Sequence, residues 1–258
     1  MRKLFFFLLL AVMTFVLSQC GHKVNRAELD AQAYFEYAKS LFEKGKYYDA
    51  INEFGVITLK FSGSPVVDDA QYYLAESHFM NEEYLIAVAE YQKLLDDYPE
   101  SPYVEDAFYK IGLSYQNMSQ RPELDQEYTR KALKYYQNYI EAYPEGKKRK
   151  EAEKNIAVMR EKLSQKQLLG GEAYRKMGIY DSAIIYYDLL LERYYDTPQA
   201  ATALFRKAEC QYKLQKYEEA LSNLSAFIEK HPEHKSVKDA KKLISKIQAL
   251  LNTAEASN

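Results

Sequence analysis

Tyr84-Leu85-Ile86-Ala87-Val88-Ala89-Glu90-Tyr91 is the stretch from which the fold is read, with Pro99 closing it eight residues on. Its skeleton is an aromatic residue, Ala three later, and an aromatic residue four after that. The same skeleton stands at Tyr47-Ala50-Phe54 and Tyr180-Ala183-Tyr187. Tyr217-Ala220-Leu224 ends on Leu instead, and Thr129-Ala132-Tyr136 begins on Thr. A Pro follows every Ala, at twelve residues in three copies (Pro99, Pro144, Pro232) and at fifteen in two (Pro65, Pro198). Steps of three and four put the marked residues on one face of a helix. The Pro ends that helix, because it cannot continue the hydrogen-bond ladder.

Upstream of each copy lies a second helical pattern. A small residue precedes the Ala by twelve at Ala38, Ala75, Gly171 and Ala208. In the third copy Gly112 and Tyr115 fit, but eight extra residues separate them from Ala132. This pairing resembles the tetratricopeptide repeat, two antiparallel helices A and B joined by a tight turn. Small residues let the two backbones approach, and large ones fill the gaps beside them. Gly45 and Gly178 fall between A and B, where a left-handed residue ends a helix. One unit cannot bury its apolar face alone, so stacked units share a continuous core. The expected fold class is all-α: a tetratricopeptide solenoid of five repeats with a C-terminal capping helix. The units are expected at about 33–62, 68–99, 105–144, 164–195 and 200–232. The cap is expected at 235–251, where Val237, Ala240, Ile244, Ile247 and Leu251 recur at helical spacing, and 252–258 reads as a disordered tail.

Two stretches break the period. Residues 118–128 lengthen the inter-helix turn of unit three, and 145–163 add an extra helix or a long extension of helix A in unit four. Lys147-Lys148-Arg149-Lys150 opens the second. Basic residues oppose the dipole at a helix N-terminus, so the run reads either as a solvated face or as a contact for acidic headgroups or an acidic partner.

The N-terminus sets the compartment. Arg2 and Lys3 precede an apolar run from Leu4 to Leu17, fourteen residues broken only by Thr14. A bilayer-spanning helix needs roughly 18–20, so residues 1–19 read as a signal peptide. Leu17-Ser18-Gln19-Cys20 resembles the bacterial lipobox, with Gln19 where Gly, Ala or Ser is usual. The resemblance implies acylation of Cys20 and a lipidated tether over 20–30. The alternative is a plain secretory signal with a chance Cys. Gly21, rather than Asp, implies sorting to the outer membrane. The one other cysteine, Cys210, lies in an apolar helical pattern and reads as a buried thiol.

Charge and motifs bound the function. A net charge of -2 from 35 basic and 37 acidic residues argues against a nucleic-acid partner. The chain has no Gly-rich phosphate loop and no His-Glu-x-x-His, and its four His (22, 78, 231, 234) lack companion ligands. No enzyme, cofactor or metal is expected. With 25 Tyr, 12 Phe and no Trp, the chain is aromatic-rich. Phe35, Tyr72 and Tyr109 recur 37 residues apart on helix A, as do Phe42 and Phe79; Phe205 and Tyr212 hold the two places in unit five. They read either as a stripe along the concave groove, fit for an extended peptide, or as core between repeats. Asp69 and Glu76 share that face of unit two and suit polar or basic flanks.

Beyond generic repeats, the order of parts resembles the BamD (ComL/YfiO) family of β-barrel assembly lipoproteins, over about residues 31–243. The irregular parts carry the resemblance. Asp125-Gln126-Glu127-Tyr128-Thr129-Arg130-Lys131-Ala132 looks like the family's long third-unit turn, and 163–174 like the start of its fourth unit, with Gln167 for Glu and Gly170 for Val. The resemblance implies an outer-membrane lipoprotein on the periplasmic face. It implies docking of the barrel-forming subunit's periplasmic POTRA-type domains through Asp125, Gln126, Thr129, Arg130 and the later repeats. Other assembly lipoproteins are implied partners too. Unfolded outer-membrane proteins would enter the earlier groove, at Phe35, Phe42, Tyr72 and Phe79. Two other readings stand beside it: a periplasmic scaffold of the Tol-Pal type, and an enzyme-associated lipoprotein.

Overall fold

The computed structural model describes residues 26–255, which form helices throughout. A 3-10 turn at Arg26–Glu28 precedes α1 (Ala31–Glu43) and α2 (Tyr47–Lys60). Then come α3 (Val67–Met80), α4 (Tyr84–Asp97), α5 (Val104–Met118) and α6 (Glu127–Ala142). They are followed by α7 (Arg149–Lys176), α8 (Tyr180–Arg193), α9 (Gln199–Lys213), α10 (Tyr217–Lys230) and α11 (Val237–Glu255). Each helix packs on the next in the chain, and odd-numbered helices also touch at α1–α3 and α7–α9. That is the contact pattern of a solenoid, and the fold is an all-α helical-repeat solenoid.

The motif residues are its core. Ala50, Ala87, Ala132, Ala183 and Ala220 are fully buried, as are their partners Phe54, Tyr91, Tyr136, Tyr187 and Leu224. Facing them on the A helices, Ala38, Ala75 and Ala208 are fully buried too. Gly112 and Gly171 take the same place. A Cβ built on Gly112 would stand 3.0 Å from the Tyr136 ring, and one on Gly171 would stand 2.4 Å from that of Tyr187. The small residue is there because the ring of helix B occupies its side-chain volume.

The tight A–B turns need one residue in the left-handed region. Gly45 (φ 72°) and Gly178 (φ 78°) supply it without strain, whereas Glu82 and Gln215, both at φ 62°, do not. A side chain there costs on the order of 1 kcal/mol. Gln215→Gly is therefore expected to stabilise the protein by about that amount, read as a higher urea midpoint. A lower midpoint would show that the turn carries no strain.

Of the two forms expected for residues 145–163, the structure shows the long extension of helix A: α7 runs unbroken for 28 residues. Two of the four basic side chains at its start pair locally, Lys148 with Glu151 at 3.3 Å and Arg149 with Glu153 at 3.0 Å, while the Lys147 backbone N–H donates to Glu105 at 2.7 Å. Residues 26–30, read as part of the tether, are held to the solenoid instead: Arg26 pairs with Glu53, and Asp30 caps α1, accepting from the Ala33 N–H at 2.8 Å. Residues 252–255, read as part of a disordered tail, are helical instead, since α11 continues to Glu255, past Leu251, with Thr253 Oγ1 donating back to the Ala249 and Leu250 carbonyls. The signal segment and Cys20 lie outside the described residues.

Candidate partner-binding surfaces

The aromatic stripe divides. Phe35 and Tyr109 are core residues, only 5% and 8% exposed. Phe35 packs on Phe54 and Tyr73, both at 5.8 Å between ring centres. Tyr109 packs on Tyr136 and Tyr139 at 5.6 and 5.7 Å, and its hydroxyl accepts from Asn155. Neither offers a ring to a peptide. Phe42, Tyr72 and Phe79 remain half-buried. Phe42 lies against Tyr47 and Tyr73. Tyr72 stacks on Tyr103 at 4.2 Å and 13°. Phe79 sits beneath the Lys110 ammonium, 4.6 Å from its ring centre. Tyr73 is the residue that sequence reasoning missed: its ring meets those of Phe35, Phe42, Phe54, Tyr72 and Tyr103 and joins units one and two.

A recurring charged contact ties successive A helices. Glu76 follows the small residue of unit two; it accepts from the Tyr91 hydroxyl and pairs with Lys110 of unit three at 2.7 Å. Glu172, at the same place in unit four, accepts from Tyr187 at 3.1 Å and pairs with Arg206 of unit five at 3.2 Å. Between units one and two the same positions hold Lys39 over the Tyr73 ring at 5.4 Å. Burial and the neighbouring carboxylate push the Tyr91 and Tyr187 hydroxyls well above the ordinary phenol range, so both stay protonated donors. Burial raises Asp69, against a hydrogen bond from Tyr103. Burial also pushes the Cys210 thiol up to about 12, which leaves it an unreactive core group.

The long third-unit turn is built from its own polar residues. Gln126 is buried, and its amide donates to the carbonyls of Arg121 at 2.8 Å, Asp125 at 3.1 Å and Leu124 at 3.2 Å. Its Oε1 accepts from Thr129 at 2.7 Å, and Thr129 is buried against Ser119. From α7, Lys162 donates to Ser119 Oγ at 2.8 Å and Lys166 to the Glu123 carbonyl at 2.9 Å. Gln126 and Thr129 thus shape the turn and do not face a partner. Asp125 also works locally, its Oδ1 accepting from the Glu127 N–H at 2.7 Å. Of the residues the resemblance marks, the turn exposes Asp125 and Arg130, 3.9 Å apart, with Arg121, Glu123 and Leu124 exposed beside them. A cleft of about 470 Å³ lies beside the turn, between units three and four, lined by Arg130, Lys166, Leu169 and Tyr186 among others.

Among the described residues no group of three or more His, Cys, Asp or Glu side chains is placed to hold a metal ion, and no helix is long and apolar enough to cross a membrane. The family model described as YfiO, outer membrane lipoprotein, matches residues 27–216, close to three quarters of the chain. The chain belongs to the YfiO family. The YfiO match takes in the lengthened third turn and the extended α7, and it ends inside unit five, so α10 and α11 lie beyond it. A tetratricopeptide-repeat model matches residues 202–234, which is unit five itself. No curated protein matches the sequence. Among solved structures the chain is similar to the TPR2AB domain of yeast Sti1 in its Hsp90 complex: 17% identity, 88% of this chain and 86% of that one, TM-score 0.42. It is also similar to TTC0263, a tetratricopeptide protein of Thermus thermophilus (17%, 85% and 100%, 0.36). A third is a tetratricopeptide protein of Parabacteroides merdae ATCC 43184 (15%, 88% and 76%, 0.37).

Proposed function

We propose that this protein is a non-catalytic lipoprotein subunit of the outer-membrane β-barrel assembly machinery, anchored through Cys20 on the periplasmic face. The observation that carries the reading is the YfiO match across four helical pairs and the irregular turn that generic repeats lack. The turn supports it physically: a segment stapled by Gln126, Thr129, Lys162 and Lys166 presents Asp125 and Arg130 with little freedom left to lose on docking. In this reading the barrel-forming subunit docks on that turn and on units four and five. Unfolded outer-membrane proteins meet the half-buried rings Phe42, Tyr72 and Phe79. Other assembly lipoproteins are further partners, and nucleic acid and cofactors have no part.

A mild-detergent pull-down of the full-length protein, with a Cys20→Ser control, tests it. The expected result is recovery of a large barrel protein with periplasmic repeats, and loss of membrane fractionation in the control. Recovery of Pal-type or cell-wall partners alone would sink the barrel-assembly role and leave a periplasmic scaffold.

A further inference from the structure

The four tight A–B turns are copies of one device, and the turn of unit two departs from the others in what opens helix B. Its left-handed residue is Glu82, as unit five uses Gln215, where units one and four use Gly45 and Gly178. The first turn of helix B elsewhere carries acids, which favour the positive end of the helix dipole. Asp49 does this in α2, Asp181 in α8, and Glu218 with Glu219 in α10; α4 has no acid in its first turn. It carries Leu85 and Ile86 there, 55% and 47% exposed. Unit two thus holds two aliphatic side chains in water where units four and five have Asp181-Ser182 and Glu218-Glu219.

Those side chains line a groove of about 300 Å³, closed on the far side by Met118 at the end of α5 and rimmed by Glu82 and Glu83. Met80, the last residue of α3 before the same turn, is also exposed. Glu83 is engaged by His78 at 2.6 Å, so Glu82 is the rim carboxylate available to a partner. The charged side chains that line the groove are Glu82 and Glu83, both acidic, and no base lines it. Clustered exposed aliphatics rimmed by charge mark an interaction site, and the field here rejects an anionic surface and attracts a cationic one.

We infer that the unit-two turn is a docking site for a peptide segment of another protein that pairs an apolar side chain with a neighbouring Lys or Arg. The apolar side chain enters between Leu85, Ile86 and Met118, and the cation meets Glu82. The inference rests on comparing the repeats with one another, and it stands whether or not the protein serves barrel assembly.

The test uses the full-length protein in mild detergent and a short fluorescein-labelled peptide of Leu and Lys in helical periodicity, followed by polarisation. The key variant is Leu85→Asp with Ile86→Ser, which gives unit two the residues of unit four and should fold as well as the parent. It adds negative charge, so attraction by charge alone would tighten the peptide. The proposal expects about tenfold weaker binding. Glu82→Gly should weaken binding while raising the thermal midpoint, and the peptide with Ser for Leu should bind poorly to the parent. Equal or tighter binding by the Asp/Ser variant would overturn the proposal. So would equal binding of the Ser peptide, or a parent that ignores the peptide and is captured by phosphatidylglycerol vesicles.

Discussion

Gly171→Leu is expected to cost the fold about 3 kcal/mol or more. A Cβ at this position would stand 2.4 Å from Tyr187 Cε1 and 2.8 Å from its Cδ1. The ring has nowhere to go. It is fully buried within the cluster of Ala183, Leu190, Ala203 and Cys210, and its hydroxyl is held by Glu172 at 3.1 Å. Adding a side chain therefore forces α7 and α8 apart, and the damage spreads to α9, which packs on both. Gly171→Ala should show a smaller loss of the same kind, about 2 kcal/mol. Gly55→Ala is the matching control. Gly55 lies inside α2, and a Cβ there meets nothing within 4 Å. That change should stabilise by about 0.5–1 kcal/mol, because Ala suits a helix interior better than Gly. Urea midpoints followed by circular dichroism would compare all three. If Gly171→Leu melts with the parent, the close crossing of α7 and α8 is not what holds unit four.

The two glycines show what can be read from sequence and what cannot. The repeat is legible because every A–B crossing needs a small residue on one helix facing a large one on the other (a ring in four units, Leu224 in the fifth), and that requirement fixes spacing. The outer role of a residue is not legible in the same way. In a solenoid, helix A touches its own helix B on one side and the next unit on another. A ring repeated every 37 residues therefore marks a repeated contact without saying whether the contact is protein or solvent. Phe35 and Tyr109 proved to be on the protein side. Gln126 and Thr129 misled in the opposite direction. Their polarity reads as surface, but a long turn tucked against α7 has backbone carbonyls to satisfy, and a buried amide does that. The pairing of Glu76 with Lys110 and of Glu172 with Arg206 was legible in principle, as a charge after each small residue and its opposite 34 positions later. Gly170 has a similar account. A Cβ there would stand 2.5 Å from the ring of Tyr186, so Gly170 and Tyr186 are chosen together.

Glu172→Ala is expected to remove about 2 kcal/mol at neutral pH and to flatten the acid limb of stability. Burial by itself would raise the Glu172 carboxyl. The hydrogen bond and charge of Arg175, with Arg206 and the Tyr187 hydroxyl, outweigh burial and hold it below the ordinary carboxylate range. A carboxyl depressed on folding stabilises the native state above its unfolded value, about 4.3. That contribution is lost as pH falls through the lower folded value. Asp196 behaves likewise, lowered by the hydrogen bond from Arg160, and it remains in the variant. The parent should therefore lose stability below about pH 4.3 more steeply than Glu172→Ala does. In the variant, Arg175 and Arg206 face each other without the shared anion, and Tyr187 loses its acceptor. Glu172→Gln keeps an acceptor for Tyr187 and loses only the charge, so it should fall between the two. Urea is the denaturant of choice, because guanidinium would screen these half-exposed groups. If parent and Glu172→Ala lose stability in parallel from about pH 5 to about pH 3, the cluster does not set the acid limb, and the tie between units four and five is apolar packing alone.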